Sequence, residues 1–181
     1  TAYDGETWAV ADVPYDGFGD WSALVSHKRL SSFVAECAGQ VTLTISENIL
    51  NGESGQLSFR LLALNVADFA ETPEVTGEQA VVPGKELGKA LRLLLPCVAD
   101  DMSRKYLTGI YFGDGKGVAT DAHRLAVWPS DLGLKGIWPT DVLGPFSDGK
   151  RDVAVRQDGE RCEATVTGLR IVGTLLTGKF P

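Results

Sequence analysis

The chain repeats itself, and a repeat constrains a fold more than any single motif, because each copy must form the same supersecondary unit. The stretches "LVSHKRLSSFV" (24–34) and "VVPGKELGKAL" (81–91) superpose with an offset of 57 residues: an apolar pair, a small residue, then Lys28 against Lys85 and Leu30 against Leu87. A further 56 residues on, "GIWPTDVLGPF" (136–146) gives the same apolar strand, turn and short helix, with Leu143 in the place of Leu87. A longer correspondence runs from "TAYDGETWAV" (1–10) to "VATDAHRLAV" (118–127), aligning Asp4 with Asp121. It continues from "FRLLALNVADFA" (59–70) to "LRIVGTLLTGKFP" (169–181), aligning Phe69 with Phe180. The two offsets, 117 and 111, differ by the few residues that loop insertions and deletions between equal units produce.

Each unit has the same coarse content. In the middle one "EQAVV" predicts a strand, residues 83–95 a helix, and "YLTGIYFG", "KGVATD" and "HRLAVWP" three further strands. Beyond it "RDVAVRQ", "RCEATVTG" and "LRIVGTLL" alternate apolar and polar residues, and Asp158-Gly159 marks a hairpin between the first two. Strands dominate and helices are few and short, which is an α+β pattern. The acidic stretch "ADFAETPEVTGE" (67–78) holds Pro73 and Gly77 without periodicity and divides the chain into 1–73 and 74–181.

With 181 residues and 44% hydrophobic content, such units can bury one good core or two small ones. No apolar run approaches the roughly 18 residues a membrane helix needs, and no basic-then-apolar leader opens the sequence, so an intracellular protein without membrane contact is expected. The first residue is Thr1 and the sequence begins directly on strand-like "TWAVADV", which reads as a piece cut from a longer polypeptide. Cys37, Cys97 and Cys162 are far apart and lack CxxC spacing, so they are expected to be buried free thiols with no metal or other cofactor.

A net charge of −7 excludes a protein coated in positive charge for nucleic acid. It leaves open a protein that places cations only where phosphates are met. The 83–95 helix has that local pattern. Lys85, Lys89 and Arg92 fall at i, i+4 and i+7 on one side, and Leu87, Leu91 and Leu94 repeat the spacing on the opposite side. The first copy offers His27, Lys28 and Arg29 at its helix start; the third offers no cation and carries Asp141, with Gly144-Pro145 limiting its helix. Lysines opposite an apolar stripe commonly mark only a solvated face. Recurrence at equivalent positions of a repeat favours the binding reading.

The run "VATDAHRLAVW" (118–128) holds one of only two histidines and raises the rival class, an enzyme using Asp121 and His123. On a strand the two share a face, yet no nucleophile motif, Walker-type glycine loop or metal-ligand spacing accompanies them. Asp121 recurs as Asp4 in a copy without the histidine, which makes it a turn former between strands. A third reading is a β-rich interaction module without DNA binding.

The repeated unit, with "VPGKELGKAL", "RKYLTGIYF", "VATDAHRLAV" and the terminal "LLTGKFP", resembles the bacterial DNA polymerase III beta subunit, the sliding clamp. The order and spacing of these blocks agree along almost the whole chain, from the second half of a first clamp domain (1–73) through a complete second one (74–181). The resemblance implies the DNA-clamp fold, with sheets outside and short helices lining the inner face of a ring. It implies no catalysis, a cytoplasmic place in DNA replication, and non-sequence-specific contact with duplex DNA through Lys28, Arg29, Lys85, Lys89 and Arg92. Arg104 and Lys105 match positions where the family approaches DNA, although an exposed basic turn explains them equally well. It further implies an apolar pocket for short linear motifs of the polymerase III alpha subunit, the clamp loader and repair proteins. Carried over by position, its wall is Leu107, Thr120, Ala122, His123, Arg124 and Leu125, with Gly common in the family where Ala122 stands. Leucines would bury a peptide anchor and His123 and Arg124 would donate hydrogen bonds at the rim. Self-association into a ring is implied for the full-length protein. The 181 residues alone are expected neither to close that ring nor to bind partner peptides with full affinity.

Overall fold

The computed structural model describes residues 1–17 and 19–181. In chain order the elements are β1 (Ala2–Tyr3), β2 (Trp8–Ala11), α1 (His27–Glu36), β3 (Thr42–Ser46), β4 (Ile49–Ser54), β5 (Leu57–Leu62), β6 (Ala80–Val82), α2 (Gly84–Leu94), β7 (Gly109–Gly113), β8 (Lys116–Thr120), β9 (Leu125–Trp128), β10 (Gly136–Pro139), α3 (Thr140–Leu143), β11 (Val153–Gln157), β12 (Arg161–Val166) and β13 (Leu169–Thr174). Short 3-10 turns at 95–97, 102–107 and 144–146 join several of them. The chain forms two compact units, Thr1–Val13 with Thr72–Pro181, and Pro14–Glu71. The first thirteen residues thus pack with the later part of the chain. The reason is a strand pairing: β2 adds to β13 with Trp8 opposite Val172 and Val10 opposite Arg170.

The larger unit holds a six-stranded sheet in the order β1-β2-β13-β12-β11-β6 and a four-stranded sheet in the order β10-β7-β8-β9. All pairings in both are antiparallel. Between them lies the core. Leu87, Leu91 and Leu94 of α2, fully buried, meet Ile110, Phe112 and Ala119 of the four-stranded sheet. Val142 and Leu143 of α3 belong to the same cluster with Trp138, Cys162, Ala164 and Ile171. Each buried leucine contributes about 2 kcal/mol of apolar transfer free energy. α2 starts where Pro83 sets an extended residue and the Gly84 N–H donates to Asp152 Oδ1 at 2.9 Å, so its first turn is capped from 68 residues away. It stops one residue short of the expected 95, because Pro96 turns the chain into a 3-10 turn. A second difference lies at "YLTG": Tyr106 and Leu107 end a 3-10 turn rather than starting β7.

α2 approaches the turn after α3 closely. A Cβ on Gly88 would stand 2.6 Å from the Gly149 Cα, so two glycines set this contact. Residues 72–78 lie against the six-stranded sheet, where Arg170, in a half-buried ion pair with Glu163 (2.7 Å), also donates from Nη2 to the Pro73 carbonyl at 3.0 Å.

The smaller unit is the three-stranded sheet β3-β4-β5 with α1. Its buried apolar residues include Leu50, Leu61 and Ala63, and Phe33 of α1 meets Phe59 of β5 with ring centroids 4.0 Å apart. No residue of α1 is buried.

The strand registers make the repeat explicit. β1–β2 and β8–β9 are the same hairpin 117 residues apart, since Ala2 opposite Ala9 becomes Ala119 opposite Ala126. β4–β5 and β12–β13 are the same hairpin 112 residues apart, since Ser54 opposite Leu57 becomes Val166 opposite Leu169. The sequence alignment on Phe69 and Phe180 gives 111, so one residue is lost between the strand and that phenylalanine.

Candidate functional site

Two surfaces of the larger unit carry the residues that the sequence singles out. The first is the outer side of α2. Lys85, Lys89 and Arg92 are exposed while the leucine stripe opposite is buried, as helical periodicity requires. Their local partners differ. Lys89 Nζ pairs with Glu86 at 2.9 Å, and Arg92 Nη1 donates to the Ser147 carbonyl at 2.8 Å, which ties α2 to the turn after α3. Lys85 makes no ion pair among the described residues. Exposed pairs of this kind are worth well under about 1 kcal/mol, so a polyanion can take the cations over at little cost. Arg104 lies 3.8 Å from Asp101, and Lys105 pairs with Glu6, so neither adds an unpartnered charge. In the smaller unit Lys28 and Arg29 are exposed on the first turn of α1.

The second surface is the outer face of the four-stranded sheet. Alternation along the strands places Ile110, Phe112, Ala119 and Ala126 on the core side, and Tyr111, Val118, Leu125, Val127 and Ile137 on the other. The final segment crosses this outer face: the Leu176 N–H donates to the Ile137 carbonyl at 2.9 Å, and the Phe180 ring stacks on Tyr111 with centroids 5.4 Å apart. The result is a cleft of about 810 Å³ walled by Tyr111, Val118, Leu125, Val127, Ile137 and Phe180. Leu125 and Val127 are 59% and 42% exposed, an apolar strip beside the cleft.

Of the residues assigned to a pocket wall by resemblance, Leu125 lines this cleft. Leu107 and Thr120 do not, and at 2% and 5% exposure they have little surface to offer, although Thr120 stands opposite Leu125 on the same outer face. Ala122, His123 and Arg124 are exposed on the turn leading into β9. Val127, two residues past Leu125 on the same strand face, was legible by alternation alone. Tyr111, Ile137 and Phe180 were not, because their meeting depends on which sheet face the last segment covers.

The turn at 120–124 is locally complete. The Asp121 carboxylate accepts the backbone N–H groups of His123 and Arg124, both at 2.9 Å, and the Arg124 Nε at 2.8 Å. The Thr120 hydroxyl donates to the Arg124 carbonyl and accepts from the Ala122 N–H. Those backbone donors, His123 first, hold the Asp121 carboxyl down at about 2. A carboxylate so committed is a poor proton acceptor, and His123 meets it through its backbone, not its ring. Asp4 accepts the Glu6 and Thr7 N–H groups in the same way, and Asp158 those of Glu160 and Arg161. The residue after each aspartate has positive φ: Gly5 107°, Ala122 74° and Gly159 96°.

Cys162 is fully buried, and burial pushes its thiol up to about 12; Cys37 and Cys97 are half-buried, and all three are free. Among the described residues no group of three or more His, Cys, Asp or Glu side chains could hold a metal ion. Among the described residues no helix is long and apolar enough to cross a membrane.

The duplicated strand-helix-strands topology is that of the DNA-clamp class of fold. Comparison with solved structures gives the particular relatives: the chain has the fold of bacterial DNA polymerase III beta subunit sliding clamps. The Thermotoga maritima beta subunit superposes with a TM-score of 0.80 at 20% identity, over 97% of this chain and 52% of that one. The Pseudomonas aeruginosa beta subunit gives 0.75 at 22%, over 97% and 53%, and the Bacillus subtilis sliding clamp 0.77 at 18%, over 98% and 53%. The chain therefore spans about half the length of the structures it matches. No protein-family model matches it, and no curated protein does.

Proposed function

We propose that the chain is part of a DNA sliding clamp, a non-catalytic processivity factor of DNA replication in the cytoplasm. In the full-length protein, clamp units would assemble into a ring around duplex DNA. Residues 1–73 would be the second half of one clamp domain and 74–181 a complete second domain. The observation that supports this most is α2 within the clamp fold, with three exposed cations on the face opposite its buried leucines. Lys85, Lys89 and Arg92, with Lys28 and Arg29 on the equivalent helix, would hold phosphates without reading bases, which lets a protein slide. Arg104 and Lys105 would join them at the margin, released from Asp101 and Glu6. The cleft beside Leu125 would receive short apolar motifs from the polymerase alpha subunit, the clamp loader and repair proteins, with His123 and Arg124 as rim donors and Thr120, Ala122 and Leu107 shaping the turn behind it.

The test is titration of a fluorescent duplex with the chain and with the K85A/K89A/R92A variant. The proposal expects the variant to lose most of the affinity at low salt. Equal affinity of both proteins would leave the alternative, a β-rich interaction module without DNA binding.

A further inference from the structure

The third copy of the repeat carries no cation on its helix, yet it brings cations to the side of α2. α3 is a single turn, and the chain leaves its end through residues 147–151, "SDGKR". Three glycines seat that segment directly on α2. A Cβ on Gly84 would stand 2.0 Å from the Arg151 carbonyl oxygen and one on Gly88 2.6 Å from the Gly149 Cα, while Gly149 itself takes a φ of 67°. At about 100° per residue, Gly84 and Gly88 lie between the buried Leu87 and Leu91 and the side that carries Arg92, Lys85 and Lys89. The 147–151 segment therefore borders the cation stripe, and the Arg92 guanidinium crosses the seam to donate to the Ser147 carbonyl at 2.8 Å.

Within this segment Lys150 is the free charge. Its side chain is 79% exposed, against 46% for Lys89, and its Nζ lies 3.7 Å from Asp148 Oδ2, too long for a hydrogen bond. The neighbouring carboxylates have other work: Asp148 Oδ1 accepts the Lys150 N–H at 3.1 Å, Asp152 Oδ1 caps Gly84, and Glu86 pairs with Lys89. Arg151 is engaged too, its Nη1 donating to the Thr167 carbonyl at 3.3 Å. Lys150 thus combines a backbone fixed against α2 with an ammonium group held only by a loose exposed pair.

We infer that Lys150 is a phosphate contact for the same polyanion as α2, supplied by the third copy from the turn after its helix and not from the helix. The inference rests on the proposed DNA contact of α2 and adds a residue that neither helical periodicity nor position in the repeat marks. A compact ammonium on a flexible stem suits a phosphate oxygen and reads no base edge. Contacts from two elements also widen the basic surface beyond one helix face, which a single row of side chains cannot do.

The test is titration of a fluorescent duplex over a fourfold range of salt with the parent chain, Lys150→Ala and Lys135→Ala. Lys135 is an exposed lysine beside β10, at the opposite edge of the four-stranded sheet from β9, on which α2 packs. Its replacement removes the same net charge. Each phosphate contact adds about 0.9 to the slope of log affinity against log salt, so the fourfold rise is expected to weaken the parent about 3.5-fold more than Lys150→Ala. Lys135→Ala is expected to keep the parent's slope. Parallel lines for the parent and a Lys150→Ala variant whose circular dichroism matches it would overturn this inference and leave the α2 reading standing. An equal loss of slope in Lys135→Ala would reduce the effect to net charge and overturn it as well. A parent that binds no duplex at any salt would remove the α2 reading, and this one with it.

Discussion

Asp121 accepts two backbone N–H groups and a guanidinium, so the negative charge is part of the turn. Its carboxyl is held at about 2, below the ordinary 3.8, and a depressed native value means stability that is present above the unfolded pKa and lost as pH falls through the folded one. Thermal melts of the chain are expected to decline between about pH 4 and pH 2, and Asp121→Asn to flatten part of that decline, since the amide oxygen can still accept the backbone donors. An Asp121→Asn melt as steep as the parent's would contradict the assignment. Ala122 pays for the same turn in backbone strain, because at φ 74° its Cβ crowds the carbonyl where Gly5 and Gly159 have none. Ala122→Gly is expected to stabilise the protein by about 0.5–1 kcal/mol in denaturant unfolding. The recurrence of the aspartate in "TAYDGETWAV" made its turn role legible; the strain at Ala122 was not, since only coordinates give φ. Cys162, buried and with its thiol at about 12, is expected to resist alkylation at pH 8 until the protein unfolds.

At the scale of elements, α2 separates what periodicity reveals from what it hides. The leucine stripe and the cation stripe were legible because a helix turns every 3.6 residues, and all three leucines are fully buried. That Arg92 serves a second purpose was hidden, because its acceptor, the Ser147 carbonyl, lies 55 residues away. Arg92→Ala is therefore expected to cost about 1 kcal/mol of stability, while Lys85→Ala costs almost nothing. Denaturant unfolding separates the two, and equal effects would count against the bond. Gly88 faces Gly149, and Gly88→Val would drive a side chain into backbone at a cost of about 3 kcal/mol or more. The cleft wall was only partly legible: β9 alternation yields Leu125 and Val127, but Tyr111, Ile137 and Phe180 need the path of the last segment across the sheet.

At the scale of the molecule, repetition decides the architecture, and the proposed function rests on charge placement. The recurring hairpins were legible as a sequence repeat, while strand pairing added what sequence could not: Thr1–Val13 packs with the later part of the chain, because hydrogen bonding between β2 and β13 joins residues about 160 positions apart in the sequence. The proposed contact of a chain of net charge −7 with duplex DNA requires cations gathered on one surface, and α2 gathers Lys85, Lys89 and Arg92 on its exposed side. Such contacts depend on counterion release and not on base sequence. The most direct measurement is the affinity of the chain for two duplexes of unrelated sequence across a range of salt concentrations. The account predicts one common line for both, with log affinity falling against log salt at a slope of about −2.7 if α2 alone supplies three phosphate contacts. A slope near zero, or lines that separate by sequence, would contradict it.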